Sequence, residues 1–290
     1  MARILGVGIA TLDIINEVPH YPAEDEEMRA TAQAVRRGGN CTNTLTVLAQ
    51  LGHRCDWSGV MADEPDGRRI IDELQRFDIG HQHCLVQTEG KVPTSYITLN
   101  RANGSRTIVH YRDLPELPFE VFEAIDLTDY DWIHFEGRNI DQTERMMLRC
   151  LEHYPDIPLS LEAEKPRPGM ERLFALADVL LFSRAYAEAQ GYQQADEFLQ
   201  AMTEQVADAR LYCGWGDQGA YALEGDTLIH QTAFIPDTLI TDTLGAGDSF
   251  NAALIHTQLQ QLPLAEGLQY ACRLAGYKCG RSGLDIQGFE

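Results

Sequence analysis

Apolar residues along the chain fall into short continuous runs and period-two alternations, separated by stretches with helical spacing. Residues Arg3 to Ile9 carry the run Ile-Leu-Gly-Val-Gly-Ile and end near a glycine-bearing turn before Asp13, a pattern that predicts a buried first strand. Trp132 to Phe135, Leu159 to Leu161, Val179 to Phe182 and Arg210 to Cys213 read as further core strands. Between them the spacing turns helical: Asn43 to Leu51 puts Leu45, Leu48 and Leu51 on one side, and Asn251 to Leu259 follows Phe250, which shares a face with Leu254. Leu264 to Lys278 predicts a terminal helix. Strands alternating with helices predict a parallel sheet covered on both faces.

A second pattern interrupts the first. From Glu26 to Arg36, Met28, Ala30, Ala32 and Ala34 alternate with Arg29, Thr31 and Gln33, as in a half-exposed strand. Pro93 to Asn100 and Thr107 to Tyr111 read as two more strands, joined across Asn103-Gly104, a dipeptide suited to the positive φ angles of a hairpin turn. These pieces predict a small antiparallel sheet inserted in two segments, about residues 12–37 and 91–112, into one α/β domain spanning 1–290. Such a sheet would act as a lid.

With 44% hydrophobic and 23% charged residues, the chain has the composition of an ordinary folded, water-soluble protein. Its formal charge of −21 repels phosphate backbones and anionic lipids, so neither nucleic acid nor a membrane surface is an expected partner. The same charge repels ATP at long range, so a nucleotide site would need local backbone donors, an arginine or lysine, or a divalent cation. Seven scattered cysteines without a C-x-x-C pair fit a reduced, cytoplasmic protein. Met1 to Ala10 lacks the basic flank of a secretory leader. His81, His83 and Cys84 lie close together but have no second ligand pair, which argues against zinc. Gly6-x-Gly8 lacks the third glycine of a dinucleotide-binding turn, because Thr11 stands in its place.

The chemistry concentrates in Asp242-Thr243-Leu244-Gly245-Ala246-Gly247-Asp248, at the mouth of a helix. Gly245, Ala246 and Gly247 leave successive backbone N–H groups unobstructed, which makes an anion pocket. This is not a P-loop, since Gly-Lys-Ser/Thr is absent and a carboxylate follows the second glycine. In the first helical turn Asp248 would be stabilised as an anion by the helix dipole. Next to a phosphoryl group it could take the proton of an attacking hydroxyl, or it could simply cap the helix. Upstream, Arg36-Arg37-Gly38-Gly39-Asn40-Cys41-Thr42-Asn43 combines a tight glycine turn with amides suited to a polyol, or forms a plain strand-to-helix turn.

Both segments are similar to those of the ribokinase/PfkB sugar kinases. Tyr21 to Asp25, Gly104 to Ile108, Trp132 to Asn139, Glu164 to Arg167 and Ala275 to Gly280 resemble the ketohexokinase branch of that family, nearly end to end. The resemblance implies a three-layer αβα sandwich of ribokinase-like fold with a small β-sheet lid. It also implies lids from two subunits clasped in a homodimer, and transfer of the ATP γ-phosphate to a ketose such as fructose, at O1. Carried over by position, it places Asp13, Gly39, Asn40 and Asn43 around the sugar and Asp25 at the lid. Arg106 and Arg138 would face the nucleotide or the developing charge, and Asp217 the adenosine end. Mg2+ would neutralise the β and γ phosphates.

One family pattern is missing: where many members carry Asn-x-x-Glu, this chain reads Ser183-Arg184-Ala185-Tyr186-Ala187-Glu188. The metal would then be held by water and phosphate oxygens near Glu162 or Glu164, and no protein ligand is assigned. Kinases for ribose, a modified ketose or adenosine remain the alternative acceptors, and a catalytically silent sugar or nucleotide sensor the alternative class.

Overall fold

The computed structural model describes residues 1–206 and 208–289. The chain opens with β1 (Arg3–Val7), β2 (Thr11–Val18), β3 (Ala32–Gly38), α1 (Asn40–Gln50), β4 (Arg54–Ser58), β5 (Val60–Ala62) and α2 (Pro65–Arg76). Its middle holds β6 (Leu85–Gln87), β7 (Thr94–Asn100), β8 (Arg106–Tyr111), α3 (Phe119–Glu123), β9 (Trp132–Glu136), α4 (Ile140–His153) and β10 (Leu159–Ala163). There follow β11 (Val179–Ser183), α5 (Arg184–Ala189), α6 (Ala195–Met202), β12 (Arg210–Gly214), β13 (Ala220–Glu224), β14 (Thr227–Gln231), α7 (Ala246–Leu259) and α8 (Leu264–Cys279).

Eight strands form the large sheet in the order β14-β13-β12-β11-β10-β9-β1-β4. Its six strands from β12 to β4 run parallel, and β13 and β14 add an antiparallel edge that the parallel pattern did not foretell. Strand order reverses at β1, whose neighbours are β4 on one side and β9 on the other. In open α/β sheets, ligands bind outside the carboxyl ends of the strands at such a switch point.

Close packing explains the first glycines. A Cβ on Gly6 would come within 2.6 Å of Leu45 in α1, and one on Gly8 within 2.5 Å of the Cys41 Cβ and 2.7 Å of Glu136 Oε2. The Gly6-x-Gly8 pair therefore lets α1 lie tight against the sheet. The helix α7 is buried almost all round because it lies between α1 and α8, so it shows little amphipathic pattern.

The small sheet has the order β3-β2-β7-β8. Its outer pairs are antiparallel, but β2 and β7 run parallel, so it is mixed where a purely antiparallel sheet was expected. The hairpin around Asn103-Gly104 accounts for the antiparallel β7–β8 pair only; β2 enters directly from β1 and runs beside β7 in the same direction. Its first strand also begins at Ala32, not Glu26. In register across the sheet, Val35, Ile14, Tyr96 and Val109 form an apolar row on one face. Arg36, Asp13, Ser95 and His110 form a polar row on the other.

Gly8→Ala is expected to destabilise the protein by about 1–3 kcal/mol, the usual cost of overpacking. At Gly214 an added Cβ meets nothing within 4 Å, and Gly214→Ala should stay within about 0.5 kcal/mol. Denaturant midpoints of both variants check the contrast.

Candidate active site

The site gathers where β1, β9 and β10 end and α1 and α7 begin. Two glycines in left-handed backbone create the helix starts. Gly39, at φ 101, precedes α1, which therefore begins at Asn40 rather than Asn43. Gly245, at φ 77, precedes α7, so that Ala246, Gly247 and Asp248 form its first turn. A Cβ on Gly39 would collide with the carbonyl of Ile9, and one on Gly38 with the carboxylate of Asp13. The Gly-Gly turn thus brings β3 against the strand that carries Asp13.

Asp248 is buried, and Asn43 Nδ2 donates to its Oδ2 at 2.7 Å. Burial pushes the Asp248 carboxyl up to about 7; the Asn43 hydrogen bond opposes this, and the nearby charges of Glu164 and Glu136 add to it. Position in the first helical turn alone suggested an ordinary anion; burial, with neighbouring carboxylates, raises the group instead. Glu162 is buried with Oε2 unpartnered, and burial, then Asp248, Glu136 and Glu164, hold its pKa well above the usual range. Glu136 is raised by burial as well, while its Oε2 accepts the Ile9 N–H at 2.9 Å and so pins the turn after β1.

The anion pocket differs from the expected trio of donors. The Ala246 N–H donates to the Thr243 carbonyl at 3.3 Å. Those of Gly245, Gly247 and Asp248 meet no backbone acceptor among the described residues. A Cβ on Gly247 would meet nothing within 4 Å, so the approach to these donors is open. The preceding loop is anchored by Asp242, which accepts from Arg36 Nη1 at 3.0 Å and from the N–H groups of Gly283 and Leu244 at 3.0 Å each. The fully buried Lys278 donates to the Asp242 carbonyl at 2.6 Å and lies 3.5 Å from its carboxylate.

The other expected site residues divide. Asn40 donates to Glu162 Oε1 at 3.1 Å and to Glu164 Oε2 at 3.2 Å. Asp13, raised by burial, accepts from the Thr11 hydroxyl at 3.0 Å and lies in the polar row beside Ser95 and His110. Arg106 reaches from the β8 hairpin to Thr243 Oγ1 at 3.2 Å. Arg138 is engaged by carboxylates, at 3.0 Å from Glu116 and 3.3 Å from Glu136, and Glu116 also holds Arg112. Asp25 is exposed at φ 65 and Asp217 is exposed in the short turn after β12. Neither shares a hydrogen bond or ion pair with the Asp248 cluster among the described residues.

Segments set aside in the sequence have local roles. Ser183 caps α5 by accepting the Tyr186 N–H at 3.0 Å, and Glu188 pairs with Arg184 at 2.7 Å, so the stretch in place of Asn-x-x-Glu serves its own helix. His83 lies 3.1 Å from the Tyr130 hydroxyl, and the Cys84 thiol donates to the Trp57 carbonyl. Sequence reasoning missed the roles of Arg37, Glu136, Glu116 and Lys278. A buried charge such as Arg37 is invisible in a linear pattern until its acceptors are brought together.

The profile of the pfkB family carbohydrate kinases matches residues 1–287. Mouse ketohexokinase is 39% identical over 98% of this chain and 98% of its own length. Among solved structures, Arabidopsis thaliana ribokinase complexed with ribose and ATP superposes with a TM-score of 0.79 at 18% identity, covering 97% of this chain and 94% of that one. Ribokinase from Cryptococcus neoformans in complex with ADP also gives 0.79, at 17% identity, over 98% and 96% of the two chains. Joined to a ribokinase-type sandwich, an open helix mouth and a buried aspartate beside it, these likenesses establish that the chain belongs to the pfkB family of carbohydrate kinases and is an ATP-dependent sugar kinase.

Proposed function

We propose that this kinase phosphorylates a ketose such as fructose at O1, with Asp248 as the general base. The observation that carries the reading is the Asp248 carboxylate, buried in the first turn of α7 beside unobstructed N–H groups and oriented by Asn43. The sugar would lie under the small sheet against Asp13, the Gly39 turn, Asn40 and Asn43, with Ser95 and His110 above it and Asp25 at the rim. Likeness to a ketohexokinase over nearly the whole chain supports a ketose as the acceptor.

In the reaction the O1 proton passes to Asp248, the O1–phosphorus bond forms as the bond from the γ-phosphorus to the β,γ-bridging oxygen breaks, and ADP departs. The N–H groups of Gly245, Gly247 and Asp248, at the positive end of the α7 dipole, receive the charge that builds on the γ-phosphoryl oxygens; Ala246 shapes the turn. Arg106 would approach those oxygens from the hairpin, Arg138 would screen charge from within its carboxylate pair, and Asp217 would lie toward the adenosine. Among the described residues no group of three or more His, Cys, Asp or Glu converges to cage a cation. Mg2+ would be carried on phosphate oxygens and water, with Glu162 and Glu164 bordering its place, and would neutralise the β and γ phosphates.

The apolar row Val35, Ile14, Tyr96 and Val109 faces away from the polar row, and Val109 is 65% exposed and Tyr96 43%. Such a row is suited to bury against a second copy's small sheet, giving a homodimer in which each lid braces the other. The seven cysteines are free thiols, which suits the cytoplasm.

Asp248→Asn is expected to lower kcat by at least about 10²-fold while ATP still binds; a coupled assay with fructose, run beside aldoses and nucleosides, measures it. Because the base must be ionised, kcat/KM should fall as pH drops through about 7, the Asp248 value. The same raised carboxyl favours the folded state at low pH, a contribution lost as pH rises through about 7. In hydrogen exchange, fructose should protect residues 93–111, and identical exchange with and without sugar contradicts closure. Val109→Asp should convert a dimer to a monomer in sedimentation velocity, with an unchanged sedimentation coefficient opposing the clasp.

A further inference from the structure

We propose that Arg37 is a positioning residue for the base: its buried guanidinium fixes the amide of Asn43 so that the NH2 group, not the oxygen, meets Asp248. The inference rests on the reading of Asp248 as base and adds the element that orients and charges its surroundings.

Arg37 sits near the end of β3, and its side chain is 1% exposed. Nη1 donates to Thr42 Oγ1 at 2.7 Å and to Asn43 Oδ1 at 3.0 Å, and Nη2 donates to Thr46 Oγ1 at 2.7 Å. Thr42, Asn43 and Thr46 lie at i, i+1 and i+4 of α1, one face of the helix turned toward a single planar fork. On the other side Glu73 accepts the Arg37 backbone N–H at 3.1 Å and lies 3.7 Å from Nε, which has no hydrogen-bond partner. A buried guanidinium is costly unless its donors are met, so this arrangement tolerates little rotation.

An amide can present either end. With Oδ1 held by Arg37, only the Nδ2 end of Asn43 is left for Asp248 Oδ2, at 2.7 Å. Were the amide reversed, its oxygen would face a carboxylate and its NH2 a guanidinium, two repulsive contacts in place of two attractive ones. Arg37 also supplies the positive charge that Asp248 feels among its neighbours, against Glu162 of β10, Glu164 just beyond its end, Glu136 of β9, and Asp13 of β2, which shares the same arginine. Lysine could keep the charge but not three acceptors in one plane.

The test is the pH profile of kcat/KM for Arg37→Gln and Arg37→Lys, with Asp248→Asn as reference. Arg37→Gln should lose roughly 10- to 100-fold at neutral pH and move the acidic limb up by about one pH unit, so that the deficit shrinks in alkali. The KM for ATP should change little. Arg37→Lys should lose rate with its limb near that of the wild type. A loss by the same factor at every pH, or a profile superimposable on the wild type, overturns the inference. If Arg37→Gln fails to fold, Thr46→Val, which removes one anchor of the fork without emptying the site, decides: a smaller upward shift supports the role and an unchanged profile overturns it. Wild-type turnover in Asp248→Asn would instead defeat the base itself. An inactive Asp248→Asn beside a normal Arg37→Gln would defeat only the positioning role.

Discussion

A carboxylate buried among other carboxylates is the constraint around which this molecule is arranged. Asp248 shares its surroundings with Glu136, Glu162 and Glu164, and burial holds both Asp248 and Glu162 above the ordinary carboxylate range. Water cannot relieve the repulsion, so relief must come from fixed groups: the amides of Asn40 and Asn43, and the guanidinium of Arg37. All three come from one short segment, the end of β3 and the start of α1, and the chain can turn between them only because Gly38 and Gly39 have no side chains to strike Asp13 and the Ile9 carbonyl.

The rest of the architecture follows from bringing that segment to α7. Parallel strands place Glu136 and Glu162 at the same end of adjacent ladders, in register with one another. The loop before α7 is held from below by the buried Lys278 and from the side by Arg36, so Gly245 can assume its left-handed backbone and leave the helix mouth open. The small sheet divides its labour by alternation: one face carries Asp13, Ser95 and His110 inward, and the other carries Val35, Tyr96 and Val109 outward.

Much of this was legible in the residues. Continuous apolar runs identified β1 and β9 to β12 because strands buried on both faces need no polar alternation. The edge strands β13 and β14 escaped notice, although Gly225-Asp226 at their junction is a hairpin signal. The helical run of α7 was read from Asn251, five residues after its start at Ala246, because Ala246 and Gly247 look like loop until the φ of Gly245 places the boundary before them. At the site, Asp248 could be singled out from its local motif, whereas Asp13 and Asn43 were named through the family resemblance. Arg37 could not be singled out, although it stands beside the glycines: its partners Glu73, Thr46 and Asp248 are separated in sequence and only the fold collects them. Nor could the titration of Asp248 be read, since a helix-start aspartate looks the same whether wet or buried.

The ties between Arg36 and Asp242, and between Asp242 and Gly283, stitch the first β-segments to the last residues of the chain. On the ribosome, then, the loop before α7 cannot be fully anchored until late in synthesis. Strands β1 to β3 and the Arg36 anchor emerge early, but the loop before α7 gains its Lys278 and Gly283 anchors only after the stretch through Gly283 has left the exit tunnel. A chain cut short before Lys278 would leave that loop without its buried cation and its backbone tie to Gly283.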